Sequence, residues 1–282
     1  MKNFFFHNTS KSGFSFQGEL LETIQTPYQK IDIINTPDMG IMLCLDDYIM
    51  VTQADEHQYH ELIVHPSCLS LKRYENALII GGGDGLCCEE VSKYPFENIV
   101  QIEIDEMVSK ISQKYFNKEL GGIFENTKVN FLFQDALTFF PSNTKFDYIS
   151  LDLNDPVQEG MHSHSLYSQK FYKTCADSLD FNGFLAVQIG CPYTFTSHFT
   201  QNIKWLKDTF SFVEVYGQYM RCYGTYQYFA KCSFQQINVT NEQIKQKMIN
   251  LNLSDFKLYN PDYYQGLTQH SNEILDIMKK IK

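Results

Sequence analysis

The sequence predicts an α/β fold: a mostly parallel sheet, covered by helices on both faces, behind a small N-terminal antiparallel β-hairpin domain. Two observations carry this. Up to about residue 75 the chain runs in short β-prone stretches broken by turn signals; beyond it, short apolar stretches alternate with amphipathic helical patterns. Continuous apolar strands separated by helices need burial on both faces, which a doubly covered parallel sheet provides. The expected division is 1–75 for the hairpin domain with its linking helix, and 76–282 for the α/β domain with a helical tail.

The elements follow in order. Residues 28–34, 41–45 and 48–52 read as strands, joined by Asn35-Thr36-Pro37-Asp38-Met39-Gly40 and by Asp46-Asp47. Asp55 opens a helix through Tyr59, Leu62 and Ile63, which Pro66 is expected to end or kink. Strands are expected at 77–80, 99–104, 129–133, 146–151, 183–189 and 212–216, with 226–230 returning antiparallel. Helices are expected at 86–94, 106–116, 168–179 and 199–210, with Trp205, Leu206 and Phe210 facing the core. Thr240, with Gln243 at capping-box spacing, and Ser271 open two helices in the tail.

Charge narrows the function. With 33 acidic against 23 basic residues, the net charge of −10 repels phosphate backbones and anionic membranes, so neither nucleic acid nor membrane is an expected partner. An acidic chain suits cationic ligands. No apolar run approaches the roughly 18 residues of a membrane span, and Phe4-Phe5-Phe6 is too short for a secretory signal. The eight cysteines include no C-x-x-C pair and read as buried thiols, in keeping with a cytoplasmic protein. His162 and His164 flank Ser163 without a third ligand in view, so no metal is expected.

The chemistry begins at Ala77-Leu78-Ile79-Ile80-Gly81-Gly82-Gly83-Asp84-Gly85, a strand running into a glycine-rich turn at a helix start. Such a turn lets backbone pass close to a ligand, whether a nicotinamide or an adenosyl-sulfur group. The next strand ends in Glu103-Ile104-Asp105, about 20 residues on, where a carboxylate can accept both hydroxyls of a ribose. A helix cap is the structural alternative, and it suits Asp105 better than Glu103. A third strand ends in Gln134-Asp135-Ala136, where a carboxylate can accept from an adenine amine. Strand-end acids at Glu103 and Asp135 favour the adenosyl-sulfur group. The fourth strand carries Asp152-Leu153-Asn154-Asp155-Pro156, two carboxylates that can face one space. An ammonium cannot attack carbon while its lone pair holds a proton, so such a pair could bind a cationic amine and deprotonate it. An Asx-type turn is the structural alternative.

Five ordered segments, Tyr28-Gln29-Lys30-Ile31-Asp32, Tyr59-His60-Glu61, Gly81-Gly82-Gly83-Asp84-Gly85, Glu103-Ile104-Asp105 and Asp152-Leu153-Asn154-Asp155-Pro156, resemble the spermidine synthase (polyamine aminopropyltransferase) family. The resemblance runs from about Tyr28 to Ser233 and extends weakly through Leu258-Tyr259-Asn260-Pro261. It implies a Rossmann-like, class I methyltransferase-type domain behind a β-hairpin domain. It also implies transfer of an aminopropyl group from decarboxylated S-adenosylmethionine to putrescine or a related amine, leaving 5′-methylthioadenosine. No prosthetic group is implied. On this resemblance Asp152 is the general base and Asp155 a diamine ligand. Gln29, Glu103, Asp135 and Ala136 contact the methylthioadenosine part, and Asp84 holds the aminopropyl ammonium. Tyr59 and His60 form the amine-site pair, Tyr223 faces them from the far side, and Gln188 stands where the family also has glutamine.

Three departures stand out. Residues 157–167 form a longer loop without the family's Gly-Pro-Ala segment, Arg221 brings a cation near a site for cations, with a side chain pointing away as the alternative, and Glu89 replaces a common arginine. A homodimer or homotetramer is implied, with an exposed hairpin edge near 28–52 available for pairing. A methyltransferase of the same fold and a non-catalytic polyamine-binding or nucleoside-binding paralogue are the alternatives.

Overall fold

The computed structural model describes residues 1–9, 12–141, 143–155 and 162–281. The start of the unusual loop, residues 156–161, and the side chain of His162 therefore lie outside the described residues.

The chain opens with an antiparallel sheet of β1 (Lys2–Thr9), β2 (Ser12–Gln25), β3 (Lys30–Thr36), β4 (Gly40–Leu45) and β5 (Tyr48–Thr52), in that spatial order. The last three strands are those expected; β1 and β2 are additional. They form because phenylalanines recur at alternate positions. The register sets Phe4 against Phe16 and Phe6 against Phe14, and Phe14 meets Phe16 with ring centroids 5.6 Å apart. Their presence narrows the expected edge to one strand. β3 and β4 are paired on both sides, so within 28–52 only β5 is a sheet edge, the other being β1. The β4–β5 turn places Asp46 and Asp47 at φ of 49° and 67°, the pair of left-handed residues that a two-residue hairpin turn requires.

Helix α1 (Glu56–Cys68) lies on the second sheet, against β9, β10 and β12. Pro66 neither ends it nor opens its last turn to solvent. Proline offers no N–H to the Leu62 carbonyl, and the Tyr216 hydroxyl donates to that oxygen instead, at 2.9 Å. The Tyr148 hydroxyl likewise donates to the Ile63 carbonyl at 3.0 Å. The Asp55 carboxylate does not cap α1; it accepts from the Thr52 hydroxyl at 2.6 Å and from Cys222 N–H at 2.9 Å.

The second sheet is built from β6 (Asn76–Gly81), β7 (Asn98–Glu103), β8 (Val129–Phe133), β9 (Phe146–Asp152), β10 (Leu179–Gly190), β11 (Phe212–Met220) and β12 (Thr225–Ser233). Their spatial order is β11-β12-β10-β9-β6-β7-β8; the pairs from β10 to β8 are parallel and β12 is antiparallel to both its neighbours. Helices α2 (Leu86–Ser92) and α3 (Glu106–Tyr115) join α1 over one face, in an apolar core continuous with the N-terminal sheet. Helices α4 (Gln169–Ser178), α5 (Thr196–Thr209) and α8 (Asn272–Lys279) cover the other. All eight cysteines are buried and unpaired, as expected, and Leu206 and Phe210 are core.

In the tail, α6 (Asn241–Asn250) carries the predicted capping box, with Gln243 N–H donating to the Thr240 hydroxyl at 3.2 Å. Helix α7 (Pro261–Leu267), unforeseen, starts from an Asn260 cap with Pro261 just inside. The buried Glu61 carboxylate holds the tail to α1, accepting from the backbone of Lys257, Leu258 and Tyr259 at 2.7, 2.8 and 2.6 Å. Among the described residues no helix is long and apolar enough to cross a membrane.

Because Tyr216 supplies the hydrogen bond that Pro66 removes, Tyr216→Phe should cost about 1–2 kcal/mol in urea unfolding. The cost should shrink in a Pro66→Ala background, where the helix again donates to Leu62. Equal costs in the two backgrounds would contradict this coupling.

Candidate active site

Strand order reverses at the centre of the second sheet. From β6 the chain passes to β7 and β8 on one side, then returns to β9 on the other. Such a switch point leaves a crevice outside the carboxyl ends of the strands. Here the register pairs Gly81 with Asp152, and Gly82 N–H donates to the Asp152 carbonyl at 2.8 Å. The glycines are needed for this approach. Gly81 has φ of +83°, and a Cβ on it would sit 2.0 Å from the Asp152 carbonyl oxygen. A Cβ on Gly82 would lie 2.9 Å from Asp152 Oδ2, and one on Gly83 2.7 Å from Glu103 Oε2. The turn thus threads between two acids that a side chain would push aside. Buried Gln101 and Ser109 hold its carbonyls: Gln101 Nε2 donates to Gly82 and Ser109 Oγ to Gly83, the latter at 2.7 Å.

Over this turn lies a cavity of about 810 Å³, and every site residue expected from the sequence lines it. At one end, Glu103 closes β7 and accepts Asp105 N–H at 2.9 Å; burial pushes its carboxyl up to about 7. Asp135 accepts Leu137 N–H at 2.9 Å, with Ala136 buried at the start of the short turn it caps. Gln29 reaches in from the N-terminal sheet, and Asp84 Oδ1 accepts Leu86 N–H at 2.9 Å.

At the other end Asp152 and Asp155 meet Tyr59, His60, Tyr223 and Gln188. Asp152 Oδ2 and Asp155 Oδ1 are buried without a hydrogen-bond partner. Burial raises Asp152 to about 6, helped by the Asp84 charge and opposed by His60 and Tyr59. Burial also raises Asp155 to about 6, against a smaller pull from Gln188. His60, on α1, is 3% exposed. Its Nδ1 donates to the Glu56 carbonyl at 2.7 Å, and its Nε2 lies 3.9 Å from Asp84 Oδ1. Burial opposes its charge, yet the Glu56 side chain, Asp84 and Asp152 together lift it to about 9, so it is cationic at neutral pH. Tyr59 stands edge-on to His60 with centroids 5.2 Å apart, and the Tyr223 hydroxyl donates to the Met50 carbonyl at 2.6 Å.

The fold adds detail at Gln188 and settles the direction of Arg221. Gln188 lines the cavity, but protein groups occupy its whole amide: Nε2 donates to Leu153 O and Tyr167 OH, while Oε1 accepts from Gly190 and Gln227. It braces the Asp155 turn. Arg221 turns away, donating to Asp38 O at 3.4 Å and Met39 Sδ at 2.9 Å. Glu89 pairs with Lys93 along its own helix at 3.2 Å. The sequence reading missed Glu56, Gln101 and Ser109. Glu56 was legible as the i−4 neighbour of His60, and Gln101 as a polar residue in an apolar strand. Among the described residues no three His, Cys, Asp or Glu side chains cluster to hold a metal.

A crevice at a parallel-sheet switch point, with acids at successive strand ends, is where an α/β protein of this class holds a ligand, and the carboxylates lining this one suit a cation. The comparisons narrow the class. Residues 56–243 match the spermine/spermidine synthase domain and residues 19–53 the spermidine synthase tetramerisation domain, so the chain belongs to the spermine/spermidine synthase family. A polyamine aminopropyltransferase of Saccharolobus solfataricus is 37% identical over 186 residues, 64% of this chain and 62% of that protein. The chain thus spans 62% of the length of that relative. One from Alkaliphilus metalliredigens is 35% identical over 202 residues, 70% of each chain. In fold, the chain is similar to a spermidine synthase crystallised with the transition state analogue AdoDATO, with a TM-score of 0.89, 24% identity, and coverage of 99% of this chain and 95% of that one. It is similar also to the Thermotoga maritima spermidine synthase, at 0.87 and 23%, over 99% and 94%.

A carboxylate with one oxygen buried and left without a hydrogen-bond partner weakens the ligand-free fold. Asp152→Asn should therefore stabilise the ligand-free protein by up to about 3 kcal/mol, the free energy separating a carboxyl at about 6 from one at 3.8. The sign is set by an acid whose folded value lies above its unfolded one: the gain is absent below 3.8, grows as pH rises, and is complete above about 6. Urea midpoints across that range check it; a variant no more stable at neutral pH would contradict it.

Proposed function

We propose that this chain is a polyamine aminopropyltransferase that moves an aminopropyl group from decarboxylated S-adenosylmethionine to putrescine or a related amine, with Asp152 as general base. The observation that carries the reading is the buried, unpartnered Asp152 Oδ2 beneath the glycine turn, between Asp84 and the Asp155 end of one cavity. In this reading Glu103, Asp135, Ala136 and Gln29 hold the nucleoside. Asp84 takes the aminopropyl ammonium, and Asp155, Tyr59, His60 and Tyr223 line the acceptor pocket. The match to a tetramerisation domain supports assembly of several copies through the N-terminal sheet.

The chemistry asks little beyond placement and one proton transfer. Asp152 takes a proton from the acceptor ammonium and frees its lone pair. The amine nitrogen then attacks the aminopropyl carbon on the sulfonium. The C–N bond forms as the C–S bond breaks, and the C–S electron pair returns to sulfur, leaving neutral 5′-methylthioadenosine. A carboxyl near 6 suits this task, being ionised at neutral pH yet more basic than a solvated aspartate. His60 carries positive charge among the acids, which keeps Asp152 from rising further.

The experiment incubates the protein with decarboxylated S-adenosylmethionine and a pool of putrescine, cadaverine, agmatine, spermidine and 1,3-diaminopropane, followed by mass spectrometry. One dominant aminopropylated product should form with equal methylthioadenosine, and Asp152→Asn should slow it by about 10²–10⁴-fold. The wild-type kcat/KM should fall as pH drops below about 6, where Asp152 is protonated. No methylthioadenosine from folded, nucleoside-binding protein would overturn the reading. A carboxylate at Asp84 repels the carboxylate of ordinary S-adenosylmethionine, so Asp84→Asn should narrow the preference for the decarboxylated donor about tenfold. Unchanged preference would remove Asp84 from that role.

A further inference from the structure

The geometry points to Asp105 as the positioning residue that fixes which end of the Gln29 amide faces the nucleoside, an inference resting on the nucleoside site proposed above. Asp105 follows Glu103 at the end of β7 and is 3% exposed. Its two carboxylate oxygens do different work. Oδ1 accepts Met107 N–H at 3.1 Å and caps α3. Oδ2 leaves its own domain and accepts from the Thr26 hydroxyl at 2.7 Å and from Gln29 Nε2 at 3.1 Å, both on the loop between β2 and β3. The Thr26 hydroxyl in turn accepts Gln29 N–H at 3.1 Å, so backbone and side chain of Gln29 are both referred to one carboxylate. The Asp105 backbone N–H donates to Glu103 Oε1 at 2.9 Å. A single residue thereby orients two walls of the cavity that come from different sheets.

The consequence lies in hydrogen-bond polarity. A carboxylate oxygen accepts, so the Gln29 amide nitrogen must face Asp105, and Oε1 is left as the group that can accept from a hydroxyl or amine. Glu103 is likewise an acceptor. Gln29 Oε1 and the Glu103 carboxylate thus stand as two acceptors on this side of the cavity, the complement of a hydroxyl-rich ribose edge. The capping role of Asp105 was legible in the sequence; the reach to Thr26 and Gln29, across 79 and 76 residues, was not.

Asparagine separates the two roles. Asp105→Asn keeps an oxygen for Met107 N–H but turns an amide donor towards Gln29, which must then swing its oxygen to the new amide and its nitrogen to the cavity. We expect 5′-methylthioadenosine to bind Asp105→Asn about tenfold more weakly by calorimetry, the scale of one hydrogen bond. KM for the nucleoside donor should rise more than kcat falls. Adding Gln29→Glu to Asp105→Asn should restore most of the affinity. The carboxylate so introduced can accept from the new amide with one oxygen and from the nucleoside with the other. A capping residue alone predicts no such rescue. Wild-type affinity in Asp105→Asn, or failure of Gln29→Glu to restore a lost affinity in a variant that unfolds at the wild-type urea concentration, would overturn the assignment. Wild-type protein that binds no methylthioadenosine would instead overturn the nucleoside site on which it rests.

Discussion

The site depends on the contact between a glycine turn and one aspartate at the centre of the parallel sheet. Gly81 and Gly82 lie so close to Asp152 that no side chain fits between them, and Gly82 N–H fixes the Asp152 carbonyl. That contact buries Asp152 Oδ2 and leaves this oxygen without a hydrogen-bond partner. It also lets Gly83 pass over Glu103, so the same turn spaces the two ends of the cavity. The rest of the sheet supports the turn: Gln101 and Ser109 hold its carbonyls from the neighbouring strand and helix.

Electrostatics follow from this burial. Acids outnumber cations in the cavity wall, and the protein meets the repulsion by two devices. Burial lifts the Asp152, Asp155 and Glu103 carboxyls, and a protonated His60, held by Glu56, places one positive charge among them. One cation does not balance the acids that line the pocket, and the remaining negative charge is the condition for binding a cationic amine. The arrangement costs stability in the empty state, the usual trade at a site built for a charged ligand.

What was legible in the sequence was local. The glycine turn, the acids at strand ends, the two-aspartate turn and the capping box are each set within a few residues, and all stand where they were read. What was not legible needed a partner from far along the chain. The phenylalanine alternation of β1 and β2 becomes a sheet only when Phe4, Phe6, Phe14 and Phe16 find one another. Pro66 reads as a helix stop until Tyr216 takes over the orphaned carbonyl. Gln188 lines the cavity as read, but its amide contacts with Leu153, Tyr167 and Gln227 come from distant parts of the chain. The sequence leaves the direction of Arg221 open, and Asp38 and Met39 draw it away from the pocket. Spacing reveals which residues share a turn; only the fold reveals whose hydrogen bonds are already taken.

The mechanism requires of Asp152 a carboxylate made basic by the burial of its Oδ2. The direct measurement is its own titration, followed by the ¹³C carboxyl resonances of aspartate-labelled ligand-free protein and assigned by the signal missing from Asp152→Asn. The account predicts a midpoint near pH 6. A midpoint at the ordinary 3.8 would contradict it, because a solvated aspartate at that position would have neither the burial nor the basicity on which the mechanism rests.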